Sequence, residues 1–276
     1  MQSELRLRIL SGVVLAVVVL AATLAGGLAF RLVSAAIGLL VYYEWSTITR
    51  LPDVDFRGNA FGWLTIAVAS AFVVVGDIDT ALLVVVAASV AAAIYATALS
   101  KSRWLAGGMF YSGLTALSLA AIRGIDFAGL VAMLFVFAVV WATDILAYFV
   151  GRALKGPKLA PAISPGKTWS GAIGGTIAAV VAGTALYMVF FPLNGVWIPF
   201  VALLLSICSQ IGDLFESFIK RLFGAKDSSR LIPGHGGVMD RVDGLVFACF
   251  AAFLLALAHA AARGNATSVG AFLLGL

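Results

Sequence analysis

Charge is scarce in this sequence. Only 11% of the 276 residues are Asp, Glu, Lys or Arg, whereas 62% are hydrophobic and the mean hydropathy is +1.08. A soluble chain of this length could not bury so much apolar surface, so the solvent of most of the chain must be lipid. Apolar runs long enough to cross about 30 Å of hydrocarbon recur along the whole length, which also excludes a soluble domain on a single anchor.

Cysteine and histidine are nearly absent as well. Cys208 and Cys249 lie inside apolar runs without a CxxC or Cys/His spacing, which argues against a zinc site or a disulfide framework. No repeat, low-complexity tract or shift in composition marks a second domain. We therefore predict one integral membrane domain over residues 1–276, with N-terminal helices in 1–100 and further helices and cytoplasmic loops in 101–276, and we expect no nucleic-acid partner.

Polar interruptions divide the chain into about nine candidate transmembrane spans. The predicted fold class is therefore all-α, a polytopic helical membrane protein. The first apolar segment follows basic residues as a signal peptide would, but the hydrophobic pattern continues directly into the next span, so we interpret it as a retained helix. The spans are roughly 9–25, 28–48, 60–76, 80–99, 105–122, 126–150, 170–191, 197–221 and 243–262.

The distribution of Lys and Arg predicts the orientation. With the N-terminus in the cytoplasm, 15 of the 18 basic residues fall on the cytoplasmic side, as the positive-inside rule requires. Two long cytoplasmic loops follow from this topology, at 151–169 and 222–242. The predicted location is the inner cell membrane, with these loops facing the cytoplasm.

Carboxylates gather at one membrane depth. Asp144 and Asp213 lie inside the sixth and eighth spans near their cytoplasmic ends, and Asp240 and Asp243 open the ninth. Such residues are costly in lipid and usually face a polar cavity, a partner or an ion. Oxygen ligands without His or Cys clusters favour a hard ion such as magnesium. The alternative is a set of ion pairs with Lys220, Arg221 or Arg241 that only hold helices together.

The two cytoplasmic loops carry the residue types that bind phosphate. In residues 154–171, Lys155, Lys158 and Lys167 suit a polyphosphate or, alternatively, anionic lipid head groups. The Gly-Lys-Thr at 166–168 is not a Walker A motif, because Pro161 stands where that motif needs glycine.

The loop over residues 233–241 is richer in glycine than a plain connector. Gly234, Gly236 and Gly237 permit positive φ and close approach of a ligand to the backbone. His235 could bind phosphate or transfer a proton, or have a structural role only. At the start of the seventh span, Gly171 and Gly175 form a GxxxG pair, which indicates close helix packing within a subunit or in a homodimer.

With these motifs in view, the sequence resembles the phosphatidate cytidylyltransferase (CDP-diacylglycerol synthase) family. The resemblance is strongest over roughly 141–244, including "WATDILAYFVGR", "ISPGKTWSG" and "GDLFES". One departure is Ser170, where the family usually has Glu. The signature residues are Ser217, Lys220, Arg221, Lys226, Asp227, Ser229, Ile232, Pro233, His235, Gly236, Gly237, Asp240, Arg241 and Asp243.

The resemblance implies that CTP and phosphatidic acid, taken from membrane lipid, give CDP-diacylglycerol and pyrophosphate with magnesium, a second cation being left open. Expected catalytic residues are Asp213, Asp240, Lys220, Lys226, Asp243 and His235. Expected substrate-binding residues are Ser164, Lys167, Thr168, Ser217, Arg221, Gly236, Gly237 and Arg241. Expected metal ligands are Asp213, Asp240, Asp144 and Asp243.

Two alternative functions remain open at this point. A CTP-dependent polyprenol or phytol kinase would transfer the γ-phosphoryl group to an alcohol. An ion-coupled transporter would place its carboxylates near the bilayer midplane, whereas these lie near one surface beside basic loops.

Overall fold

The computed structural model describes residues 2–191, 195–263 and 268–276, and the side chains of residues 9–191, 195–262 and 268–276. In chain order the helices are α1 (Gln2–Ala25), α2 (Gly27–Ile48), α3 (Leu51–Val54), α4 (Phe56–Val75), α5 (Ile78–Ala98), α6 (Trp104–Arg123), α7 (Phe127–Leu154), α8 (Trp169–Phe190), α9 (Ile198–Leu222), α10 (Met239–Arg263) and α11 (Val269–Leu274).

Eight helices in the described parts of the chain are long and apolar enough to cross a membrane: α2, α4, α5, α6, α7, α8, α9 and α10. They coincide with eight of the nine predicted spans, so the polytopic helical fold is confirmed. The remaining segment is the apolar part of α1, Ile9–Ala25, which is shorter than the others. The cytoplasmic placement of the N-terminus stays a prediction.

The all-α prediction was incomplete in one place. Between α7 and α8 the chain forms an antiparallel ribbon of β1 (Lys158–Ala160) and β2 (Ser164–Thr168), with Ala160 opposite Ser164. Ala160 precedes Pro161 and Ser164 precedes Pro165. A residue before proline is disfavoured in the α region, so both strands have a local reason to be extended.

The chain divides into two compact units, although no shift in composition marks a boundary. The first unit comprises Met1–Ala120 and Phe223–Arg241. Trp45 of α2 is 2% exposed, stacks on Tyr111 with ring centroids 5.4 Å apart and donates its indole N–H to the Trp104 carbonyl at 2.9 Å. A second cluster packs α4, α5 and α6 through Val73, Val85 and Leu117.

The second unit comprises Ala121–Leu222 and Val242–Leu276. Its helices α7 and α8 approach closely because glycine lines their interface: a Cβ on Gly175 would lie 2.5 Å from the carbonyl oxygen of Thr143. The GxxxG pair at Gly171 and Gly175 therefore packs within the subunit, and it does not support a homodimer. The Thr143 and Ser206 hydroxyls, 2.8 Å apart, join α7 to α9.

Candidate active site

The second unit contains a cavity of about 810 Å³ beside the β-ribbon. Its wall combines the last turns of α7, the ribbon, the start of α8 and the middle of α9. Its lining includes both positively charged side chains and carboxylates. The charged and polar residues of its lining are Thr143, Asp144, Tyr148, Arg152, Lys155, Lys158, Lys167, Thr168, Gln210 and Asp213.

Lys167 and Asp213 form an ion pair in this cavity. Lys167 comes from the end of β2 and Asp213 from α9, and their side chains are 28% and 30% exposed. The structure thus brings together a residue predicted to bind phosphate and one predicted to bind metal. Both side chains are partly exposed, although the Lys167 Nζ atom itself is buried, so a ligand that carries a phosphate and a cation must displace Lys167 from Asp213 to contact each partner.

Asp144 of α7 lies in the same cavity wall, and the Asp243 carboxylate of α10 lies within electrostatic range of Asp144, Asp213 and Lys167. Three of the four predicted metal ligands therefore belong to one neighbourhood. Among the residues that the structure describes, no three His, Cys, Asp or Glu side chains are close enough to hold an ion by themselves. Magnesium commonly takes one or two carboxylates and fills its remaining positions with water and substrate phosphate, which this oxygen-only set fits.

The ribbon and the start of α8 are held by local hydrogen bonds. Thr168, predicted to bind substrate, is the N-cap of α8 and accepts from the Gly171 N–H at 3.1 Å. Ser170, at the position where the resemblance leads one to expect Glu, donates to the Lys155 carbonyl and so closes the base of the loop. Ser164 lies in β2, outside the cavity lining.

The end of α9 carries a second ion pair. Lys220, predicted to be catalytic, lies 2.5 Å from Glu216, whose side chain is 1% exposed. The two residues are four positions apart, as on one helical face. Lys220 therefore compensates a buried charge within α9, and its catalytic role stays a prediction. Ser217 and Arg221 lie on the same final turns of α9.

In the first unit, Glu44 of α2 organises the glycine-rich loop. Its side chain is fully buried, and its two oxygens accept four hydrogen bonds. The Ser229 hydroxyl and the Val238 N–H bond one oxygen at 2.6 and 2.8 Å, and the Ser228 hydroxyl and the Met239 N–H approach the other at 3.0 and 2.6 Å. The carboxylate thus lies at the N-terminus of α10, where the helix dipole favours an anion.

Asp240 stabilises the same loop from within. Its Oδ2 atom accepts from the N–H groups of Ser228 and Gly237, both at 2.8 Å, and lies 2.8 Å from the Ser228 hydroxyl. Gly237 must be glycine, because a Cβ there would collide with Ser228 and Glu44. Gly236 has φ 83°, so it occupies the left-handed region predicted for this turn. The metal role of Asp240 stays a prediction beside this structural role.

The outer face of this loop forms an open pocket of about 570 Å³. Three cations line it, Lys226, Arg230 and Arg241, together with His235 and Gly236. Four predicted site residues are thereby brought together. The Ser11 hydroxyl donates to the Pro233 carbonyl at 3.0 Å and lies 2.8 Å from His235 Nδ1. Since the Ser11 hydroxyl proton is used for Pro233, the neutral tautomer that fits is the one in which Nδ1–H donates to Ser11 Oγ. In this tautomer Nε2 is an acceptor.

The sequence profile described as the cytidylyltransferase family matches residues 6–259. This chain belongs to the cytidylyltransferase family. Its curated relatives include "Phosphatidate cytidylyltransferase" of Brucella abortus biovar 1 (strain 9-941), 48% identical over 255 residues, which cover 91% of this chain and 93% of the relative. The protein of that name from Bacillus subtilis (strain 168) is 33% identical over 92% of this chain and 98% of the relative. The one from Staphylococcus aureus (strain COL) is 35% identical over 88% and 95%.

Family membership confirms the resemblance and makes the chain a nucleotidyltransferase by class. Two residues that hold the glycine-rich loop, Glu44 and Ser11, were not predicted from the sequence. Glu44 could have been found, because an acid inside an apolar span calls for a partner in the same way as Asp144 does; no pattern marks Ser11.

Proposed function

We propose that this cytidylyltransferase transfers the cytidylyl group of CTP to phosphatidic acid, giving CDP-diacylglycerol and pyrophosphate. The observation that carries the proposal is the cavity in which the Lys167–Asp213 ion pair lies beside Asp144 and further lysines, at the end of helices long enough to span a membrane. The name of the relatives, phosphatidate cytidylyltransferase, agrees with this reaction. A lipid substrate and a water-soluble nucleotide can react with each other only where a polar cavity opens near the membrane surface, as expected at the ends of such helices.

In this reaction a phosphate oxygen of the lipid attacks the α-phosphorus of CTP. A new P–O bond forms there, the bond to the β-phosphate oxygen breaks, and pyrophosphate leaves. Both reactants are anions, so the site must first offset their repulsion and then the charge that develops on the leaving group. Lys155, Lys158 and Lys167 supply that positive charge in the cavity.

Asp213 and Asp144 would hold magnesium there, with Asp243 as a further ligand or a support, and the ion would neutralise the triphosphate. When substrate binds, Lys167 leaves Asp213 for a phosphate oxygen. In the first unit, Lys226, Arg230 and Arg241 are proposed to bind phosphate at the loop pocket, with His235 Nε2 as an acceptor of a substrate proton or hydrogen bond. Lys220 and Arg221 are proposed to act as supporting charges at the end of α9.

We infer that the reaction faces the cytoplasm at the inner cell membrane. The support is the placement of 15 of the 18 basic residues on one side of the predicted topology. A cysteine accessibility experiment tests this inference: Cys introduced at Lys158 should react with an impermeant maleimide in inverted membrane vesicles and resist it in intact spheroplasts.

The decisive test uses purified protein, phosphatidic acid, magnesium and CTP labelled in the α- or the γ-phosphate. Label from the α-phosphate should enter the lipid, and label from the γ-phosphate should appear in pyrophosphate. The γ label in a lipid, with CDP released, would instead indicate a kinase. No transfer from CTP, under conditions in which the Bacillus subtilis relative shows transfer, would overturn the proposal.

A further inference from the structure

The first unit has a second cavity, whose lining includes no residue of the proposed reaction. It measures about 810 Å³ and lies among helix ends: α3, the first turns of α4, the last turns of α5 and the first turn of α6. Of these, α4, α5 and α6 are long and apolar enough to cross a membrane, and the start of α4, the end of α5 and the start of α6 meet at this cavity. In a membrane such helix ends are at the depth of lipid head groups.

Four of the lining residues carry formal charge, two of each sign: Asp53, Asp55, Arg57 and Lys101. Among the described residues none of them forms an ion pair within 4.0 Å. The cavity therefore has no net charge but presents separate positive and negative groups. A purely anionic ligand would meet two carboxylates, whereas a zwitterion finds a partner for each of its charges.

Asp55 supplies an independent indication of a ligand. The residue is 5% exposed, and its Oδ1 accepts from the Gly58 N–H at 3.0 Å and from the Tyr95 hydroxyl at 3.3 Å. Its Oδ2 is buried and has no hydrogen-bond partner among the described residues. A buried carboxylate oxygen without a donor is costly, and a rotation of the carboxyl group toward the cavity would let this atom accept from an N–H or O–H group outside the chain.

The rim of the cavity is apolar and open. Phe56 is 73% exposed, Leu99 59% and Phe61 42%. In a bilayer these side chains face acyl chains directly below the head-group level. A ligand with a charged head and apolar tails matches both parts of the cavity, whereas a small soluble zwitterion would leave the rim unused.

We infer that this cavity binds a phospholipid with a primary-amine head group, of the phosphatidylethanolamine class. Arg57 and Lys101 receive the phosphodiester, and the ammonium group donates to Asp55 Oδ2 and to Asp53. A quaternary choline head group carries the same charge but has no N–H to donate, so it cannot satisfy Asp55. The inference does not depend on the proposed reaction, since none of these residues is placed in its machinery.

The test measures lipid retention by native mass spectrometry of the full-length protein in detergent. The protein is offered phosphatidylethanolamine, phosphatidylcholine and phosphatidylglycerol of identical acyl chains. The ethanolamine lipid should be retained roughly tenfold more than the choline lipid, the scale of one charge-assisted hydrogen bond. Equal retention of these two lipids would overturn the inference.

Variants locate the site. Asp55→Asn keeps an N-cap residue that α4 accepts, and it should abolish the preference for ethanolamine while leaving some retention. Arg57→Gln with Lys101→Gln should lower retention of all three lipids, and Arg103→Gln, a neighbouring cation outside the cavity lining, should leave it unchanged. Thermal melting in detergent verifies that each variant is folded. A preference that survives Asp55→Asn, or retention that survives the double variant, would show that the lipid binds elsewhere.

A competition experiment distinguishes a membrane lipid from a soluble molecule with the same head group. Glycerophosphoethanolamine, which lacks acyl chains, should fail to displace the bound lipid at millimolar concentration. Displacement by it would contradict the lipid assignment. Phosphatidic acid turnover measured on the same variants shows whether the proposed activity is present, so failure of that proposal and failure of this one can be told apart.

Discussion

The carboxylate of Glu44 accepts a 2.6 Å hydrogen bond from the N–H of Met239, a residue 195 positions later in the chain. Three further donors from residues 228–238 complete its contacts. A buried acid in a membrane helix thereby becomes the acceptor that fixes both the glycine-rich loop and the start of α10. Residues 228, 229, 238 and 239, in the segment that also carries Lys226, His235 and Arg241, are held in place by Glu44.

The first prediction concerns that contact. Glu44→Gln keeps the size of the side chain but turns an N–H toward backbone donors, and an unpaired buried donor costs about 1–3 kcal/mol. We expect a lower melting temperature in detergent and a loss of transferase activity of roughly tenfold or more. Tyr43→Phe, on the same turn but 42% exposed, should change neither quantity. Unchanged stability and activity in Glu44→Gln would show that the loop does not need the anion.

The second prediction tests the close approach at Gly237. Gly237→Ala places a Cβ against Ser228 and Glu44, so the loop must shift and the hydrogen bonds to Glu44 must lengthen. We expect destabilisation and weak activity, measured by melting and by label transfer. Gly107→Ala is the matched control in the same unit, because its Cβ would meet only Trp45, at 3.4 Å. If both variants melt like the natural protein, the close packing of the loop is contradicted.

The third prediction concerns the proposed metal site. Asp213→Asn removes one charge from the cavity, so we expect the magnesium concentration for half-maximal transfer to rise about tenfold, with kcat also lowered. Chelation with EDTA should abolish transfer, and added magnesium should restore it. Asp79→Asn removes an exposed acid in the first turn of α5 and should leave the magnesium dependence unchanged. An unaltered magnesium curve for Asp213→Asn would remove this residue from the site.

The fourth prediction separates the two partners of the ion pair. Lys167→Met should raise the KM for CTP more than it lowers kcat, because Lys167 is proposed to bind ground-state phosphate. The double variant with Asp213→Asn should lose less than the two single variants combined, as expected for residues in contact. The four proteins form a double-mutant cycle measured by initial rates. Independent effects would contradict the pairing.

The fifth prediction tests packing between α7 and α8. Gly175→Ala directs a methyl group at the Thr143 carbonyl, 2.5 Å away, and at Ala147 Cβ, 3.0 Å away. We expect the helices to be forced apart and stability to fall by about 1–3 kcal/mol, as for overpacked cores. Gly166→Ala, with open space around its Cβ position, is the control for a glycine change in the same unit. A Gly175→Ala protein as stable as the control would mean that α8 packs elsewhere.

The spans themselves follow from the sequence, because a helix in lipid must satisfy its own backbone hydrogen bonds and the apolar run marks its length locally. Eight predicted spans coincide with helices for this reason. The ribbon at 158–168 was missed, since Pro161 and Pro165 were interpreted only as loop residues. The GxxxG pair correctly indicated close packing, but only the structure decided that its partner is α7 of the same chain.

The site, like the fold, has features that the sequence predicts and features that only the folded chain reveals. The residue types of the site can be read from the sequence, because the carboxylates near the ends of spans, the lysines of one loop and the glycines of another are each visible within a short window. The partner of each residue, in contrast, follows from the packing of the folded chain. Lys167 with Asp213 and Glu44 with Met239 join distant parts of the chain, and such contacts depend on how helices pack rather than on any local period. For that reason Glu44, an ordinary interruption of an apolar span in the sequence, is the residue that holds the glycine-rich loop in the folded protein.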